Sequence, residues 1–229
     1  ATKTLNEAAA TAGNAGRNIA AFLSETYQQV IEGQFRDFTL ADSLLHDPAV
    51  NEDAYMAMIE KKSATLIAGA AKAGALAGGA PPEVQHACAA YGLHLGMAYQ
   101  IYDDIVSIWG SVEKSGKTAL KDIYEKKKTL PVIYGYGQLG AEQKSEFEKI
   151  YSAGFSVLPE HVEKVVSHLN ATGAREYAEG RLKVFSNAAK EALMQTGFSA
   201  DQLKPLTDLV DKLLYLDAPS KITAVPQAK

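Results

Sequence analysis

The sequence predicts an all-α protein: one domain, built as a bundle of long antiparallel helices around a central cavity. Three observations carry that expectation. Ala, Leu, Glu, Lys and Gln dominate the chain, and the alternation of β-branched residues that marks strands is rare. Apolar residues recur at helical spacing over long segments, separated by Gly, Pro and polar stretches. Polar residues also intrude on the inner faces of three of these segments, as in bundles that line a site.

The elements follow in order. Residues 2–32 read as one long helix with Leu5, Ala9, Ile19, Phe22, Leu23, Tyr27 and Val30 on its apolar face. Gly33 is a point where that face meets a chemical group rather than a clear helix end. Residues 40–54 read as a loop, overlapping the start of a strongly helical segment, Asn51–Ala77. That segment stops at Gly78-Gly79, with Pro81-Pro82 behind it. A third long helix runs from about Glu83 to Trp109. Residues 110–129 form a polar, lysine-rich connection. Residues 130–137, 141–152, 159–170, 172–195 and 200–216 read as further helices, and the tail after Pro219 as frayed.

The totals set bounds. With 229 residues and 47% of them apolar, the chain can bury a sizeable core, and the expected domain covers residues 1–229. A net charge of −4 argues against nucleic acid as a partner. The single cysteine, Cys88, allows no internal disulfide, reads as a buried structural thiol and suits a reducing, cytoplasmic compartment. No run of eighteen apolar residues offers a membrane span, and no signal peptide opens the sequence. The first residue is not Met, so a processed, trimmed or incomplete start is expected. His46, His86, His94, His161 and His168 have no metal-ligand spacing.

The stretch "QIYDDIVSIWG" (100–110) sets two adjacent acids, Asp103 and Asp104, among Met97, Ile101, Ile105, Val106 and Ile108. Asp103 and Ser107 stand four apart and share a face with Gln100, and Asp104 lies about 100° round. A solvated patch is the bland reading; the apolar surroundings favour a divalent-cation site instead. Oxygen donors without His or Cys suit Mg²⁺, which binds through one or two carboxylates plus phosphate oxygens. Lys114, Lys117, Lys121, Lys126, Lys127 and Lys128 follow in a Gly-containing loop. Any one of them reads best as solvated. Together with the acids they fit a diphosphate shared between metal and ammonium groups. Gln34 and Asp37 after Gly33, and Lys62-Ser63 inside an apolar helix, complete the polar set; Lys62 alone would read as a snorkelling side chain.

These stretches resemble the trans-isoprenyl diphosphate synthases, the polyprenyl synthetase family. "GMAYQIYDDIVSIWG" is similar to that family's second aspartate-rich motif, F-Q-x-x-D-D-x-x-D, and "GKTALKDIYEKKKTLP" to the G-K-x-x-x-x-D…K-x-T-x-P that follows it. "EGQFRD" resembles G-Q-x-x-D, "KKSATL" resembles K-T-x-x-L, and "ATGAREYAEGRLKVFSNAAKEAL" resembles a C-terminal T-G-A-x-x-x-A helix. The order and spacings match over nearly the whole chain. The resemblance implies the isoprenoid synthase fold, normally a homodimer. It implies a head-to-tail, Mg²⁺-dependent condensation of isopentenyl diphosphate with an allylic diphosphate, giving a short-chain product such as farnesyl or geranylgeranyl diphosphate. By position it implies Asp103 as a Mg²⁺ ligand with Asp104 assisting. Lys62, Lys117 and Lys127 would hold the allylic diphosphate, Gln100 would face the reacting groups, and Ser63 would stand where the family prefers Thr. Gln34 and Asp37 would shape the cavity. Tyr99 is counted with them as a cavity-shaping position, although Tyr99, Met97 and Phe38 each read more readily as core. Lys126 replaces a common Gly, and Lys128 falls in a variable slot and is not chosen.

Two departures bear on function. Ser107 stands where many members have a third Asp; some carry Gly or Ser there, so activity is still expected. The family's first aspartate-rich motif and its G-K-R-x-R-P segment are not found in these 229 residues. The chain is therefore expected to correspond to the C-terminal two-thirds of a full-length member, with a non-catalytic regulatory subunit as the alternative. A terpene cyclase of the same fold is the nearest other enzyme, but its metal motif ends in Glu where this chain has Ser111.

Overall fold

The predicted helices form, in the predicted order, and among the described residues there is no strand. The computed structural model describes residues 7, 13–110, 120–152, 154 and 156–214. Leu5, Ala9, Lys114, Lys117, the last two residues of the final predicted helix and the tail after Pro219 lie outside them.

The first helix, α1 (Gly13–Asp42), runs ten residues past its predicted end. The sequence from 34 to 42 holds no Gly or Pro to break the helix, and Arg36 pairs with Glu32 one turn back at 2.9 Å. Its inward line is Thr26, Gly33 and Leu40, not one centred on Tyr27, which is 37% exposed. The predicted loop shortens to 43–51. Asn51 then caps the next helix, accepting the Ala54 N–H at 2.9 Å, with Glu52 and Asp53 in the first turn.

The segment read as one helix over 51–77 is three pieces. These are α2 (Glu52–Ile59), a π-helical turn (Glu60–Ala64) and α3 (Thr65–Ala77). The Thr65 N–H reaches back five residues to the Glu60 carbonyl. Gly79 leaves the helix at a φ of +70°, and Pro82 opens α4 (Pro82–Trp109). The connection that follows contains a single turn, α5 (Lys121–Tyr124), where a loop was expected. Then come α6 (Leu130–Gln138), α7 (Ala141–Ser152), α8 (Pro159–Ala171), α9 (Ala174–Met194) and α10 (Ala200–Leu214).

Close contacts fix the helix directions. A Cβ on Gly33 would sit 2.1 Å from the Lys62 nitrogen, and one on Gly69 would sit 2.8 Å from Thr26 Cγ2. As α1 runs forward, the α2–π–α3 rod therefore runs back. Gly92 meets Ala68 and Gly96 meets Ala64, so α3 and α4 are antiparallel too. His94 faces Phe185 while Arg175 lies over Trp109, which sets α9 antiparallel to α4. α4 is the central helix, packed on α3 and α9. Ile101 and Ile105 on α4, with Ile59, Leu130, Leu169 and Leu182 from other helices, are fully buried members of the core. Cys88 is buried as expected. Among the described residues no helix is long and apolar enough to cross a membrane.

Candidate functional site

The π turn is the first device. It adds a residue between two helical registers, as π turns often do at functional sites. Ile59 ahead of it is fully buried, whereas Leu66 behind it is 44% exposed. Between them Lys62 donates to Asp37 Oδ2 at 2.5 Å, and Ser63 Oγ donates to Gln100 Oε1 at 2.8 Å. Gly33 makes the Asp37 pairing possible. Without a side chain it lets α1 rest on the backbone of Lys61 and Lys62, one turn from Asp37.

On α4 the adjacent acids separate. Asp103 is half-buried and lines an open pocket. Asp104 is 3% exposed, and protein groups occupy both its oxygens. Oδ2 accepts the Tyr55 hydroxyl at 2.6 Å and the Leu130 N–H at 3.3 Å; Oδ1 accepts Gln100 Nε2 at 3.2 Å. Burial pushes the Asp104 carboxyl up to about 7, helped by the Asp122 charge and opposed by the Tyr55, Gln100 and Leu130 hydrogen bonds.

Ser107 explains its own presence. Its carbonyl accepts the Leu120 N–H at 2.8 Å, and its Oγ accepts the Asp122 N–H at 3.4 Å. The hydroxyl therefore fastens the returning chain, and Asp122 becomes the further carboxylate beside the pocket. Asp122 Oδ1 accepts Lys127 Nζ at 2.7 Å, and Glu125 Oε2 lies 3.4 Å from the same ammonium. Burial lowers the Lys127 pKa, but those acids outweigh it and hold the ammonium above its ordinary value. Lys128 donates to the Ala41 carbonyl, and burial, reinforced by the Lys126 charge, holds it below the ordinary range. Lys126, in the left-handed region at φ 55°, donates to the Gly154 carbonyl at 2.6 Å and so ties down the chain after α7.

One pocket gathers most of these groups, with about 450 Å³ of atom-free space counted out to solvent. Asp37, Lys62, Gln100, Asp103, Asp104 and Lys127 line it, as the sequence led one to expect. Tyr55, Asp122, Lys128 and Thr129 also line it and were not chosen from the sequence. Asp122 had a signal, as the acid of "GKTALKD"; Lys128 had its neighbour; Tyr55 had none, because a tyrosine among apolar residues reads as core. Gln34 stands behind the lining and donates to Asp37 Oδ2 at 3.3 Å. Ser63 reaches the pocket only through Gln100. Tyr99 is 47% exposed and does not line the pocket, so the expected cavity-shaping position is not found there. Phe38 is 62% exposed and belongs to neither core nor pocket. Lys117 lies outside the described residues.

Among the described residues no three His, Cys, Asp or Glu side chains converge into a self-sufficient metal cage. The acids facing the pocket offer oxygen only. That suits a hard cation held by one or two carboxylates, with water and phosphate oxygens filling its other positions. Asp103 and Asp122 are the groups that fit it. The same pocket carries three lysines, so the arrangement suits a polyanion arriving with its cation.

A family model described as polyprenyl synthetase matches residues 2–169. A (2E,6E)-farnesyl diphosphate synthase of Mycobacterium bovis is 42% identical over 112 residues, 49% of this chain and 30% of that protein. A geranylgeranyl diphosphate synthase of Methanosarcina mazei is 34% identical over 171 residues, 75% of this chain and 49% of that protein. The chain spans about half the length of the curated relatives it matches, and less of the first. Among solved structures, a polyprenyl synthetase from Streptomyces coelicolor superposes with a TM-score of 0.81 at 24% identity, covering 92% of this chain and 62% of that one. A polyprenyl synthase from Caulobacter crescentus, complexed with calcium and isoprenyl diphosphate, superposes with a TM-score of 0.79 at 25% identity, covering 88% and 60%.

Proposed function

The chain belongs to the polyprenyl synthetase family, and on that premise we propose that it acts in a trans-prenyltransferase, holding an allylic diphosphate while its diphosphate group departs. The supporting observation is the meeting of Lys62, Lys127 and Lys128 with Asp37, Asp103 and Asp122 around one pocket. Lys62 and Lys127 are matched by Asp37 and Asp122. A diphosphate competes for those ammonium groups, and its charge grows as the allylic C–O bond breaks. Preorganised cations aimed at that growing charge lower the barrier. Asp103 and Asp122 would hold Mg²⁺, which when bound supplies further positive charge to the departing group. Gln100, fixed between Ser63 and Asp104, presents a steady polar edge to the reacting end. The double bond of isopentenyl diphosphate then attacks the allylic carbon, and loss of a proton completes the longer chain.

The relatives' names favour a short product, of the farnesyl or geranylgeranyl class. A homodimer is supported by an apolar stripe on α1: Tyr27, Ile31, Phe35 and Phe38 succeed one another at helical spacing, and Ile31 and Phe35 are each 70% exposed. A reducing, cytoplasmic setting suits the free thiol of Cys88.

The test is incubation with isopentenyl diphosphate, an allylic primer and Mg²⁺, with products identified by mass. A prenyl diphosphate of fifteen or twenty carbons is expected (about three or four isoprene units). A cyclic hydrocarbon instead would move the chain to the terpene cyclases, and an untouched primer would overturn the reading.

A further inference from the structure

The deepest polar contact of the site involves a residue with no assigned part. Tyr55 lies on α2, is 1% exposed, and reaches 49 residues along the chain to Asp104 on α4. Its 2.6 Å contact has the length of a hydroxyl donating to a carboxylate. A phenylalanine would fill the same core volume. The hydroxyl is therefore there for its partner, because a buried phenol or carboxylate without one is costly.

The partner in turn holds a third element. Asp104 Oδ2 also accepts the N–H of Leu130, the first residue of α6. The N-cap of that helix, Thr129, makes no side-chain capping bond, so its first amides lack a local acceptor. Asp104 supplies one from α4. α6 begins immediately after Lys127 and Lys128, and Asp122 is tied to Lys127. The place where α6 starts therefore sets where those charges stand.

We propose that Tyr55 is a positioning residue: its hydroxyl pins Asp104 to the first turn of α6 and thereby sets Lys127, Lys128 and Asp122 for a diphosphate carried with Mg²⁺. This rests on the function proposed above for the choice of ligand. Tyr55 touches no reacting atom; it acts through Asp104.

The test is Tyr55→Phe in the full chain, with two readouts. In the ligand-free protein, hydrogen exchange at the Leu130 amide should quicken about tenfold, while amides at Leu182 in α9 keep their protection. Binding of inorganic diphosphate in the presence of Mg²⁺ should weaken about tenfold, and the same change made in an Asp104→Ala background should add nothing. Unchanged exchange at Leu130, a uniform rise across the core, or effects of the two substitutions that multiply would each overturn the proposal. Absence of any diphosphate binding by the unaltered protein would overturn the proposed function, and the exchange result would still decide the role of Tyr55.

Discussion

Gly33 and Lys62 touch backbone to backbone: a Cβ on Gly33 would lie 2.1 Å from the Lys62 nitrogen and 2.5 Å from its Cα. No side-chain rotation relieves such a contact, so α1 must back away from the π turn. Gly33→Ala should destabilise the protein by about 3 kcal/mol. It should also separate Asp37 from Lys62, one turn along. Urea denaturation reads the first effect. A stability within about 0.5 kcal/mol of the parent would show that the two helices do not meet this closely.

The adjacent acids of α4 should respond in opposite ways. Asp103→Ala removes a half-buried pocket group, so turnover should fall about 100-fold or more while the melting temperature holds. Asp104→Ala strips the partner from the Tyr55 hydroxyl and the Leu130 N–H, so the fold should lose about 1–3 kcal/mol. Thermal melts and initial rates on the two variants check this. Equal melting temperatures would contradict the division of roles.

The apolar stripe of α1 should be buried between two copies. Phe35→Glu places a charge in its middle without touching the core, since Phe35 is exposed within one chain. A monomer with an intact melt is expected. Light scattering that gives the parent protein as a monomer would remove the dimer.

His94 sets a limit on acid stability. Its Nδ1 is buried without a partner, and burial lowers its pKa, against a smaller opposite pull from Glu191. A depressed folded pKa means that the neutral ring contributes stability above the unfolded value. That stability is lost as pH falls below about 6.5 and through the folded value. The melting temperature of the parent should therefore drop over that range more steeply than that of His94→Leu. Parallel curves would show that His94 does not titrate on unfolding.

Much of this was readable in the chain, for physical reasons that differ by residue. The helices followed from composition and from punctuation at Asn51, Gly79 and Pro82, because these act locally. Asp103 and Lys62 stood out because polar groups in apolar stretches need partners, and Asp37 and Lys127 because they fall in the motifs "EGQFRD" and "EKKKTLP". The π turn did not show, since nothing local asks for it; it accompanies the close approach of α1 at Gly33. The end of α1 was misplaced because Gly33 resembles a stop while its missing side chain serves packing. Asp104 was read with Asp103, yet one residue of rotation buries it, and Tyr55, Gln100 and the Leu130 N–H take up its oxygens. Tyr99 was counted as a cavity-shaping residue, yet its place on α4 leaves it 47% exposed and outside the pocket lining.

The most direct single measurement is calorimetric titration of the full chain with inorganic diphosphate, with and without Mg²⁺. Saturable binding that requires Mg²⁺, and that weakens about tenfold or more in Lys127→Ala, is the predicted result. Heats independent of Mg²⁺, or an affinity that Lys127→Ala leaves untouched, would contradict the assignment of this pocket to a magnesium diphosphate.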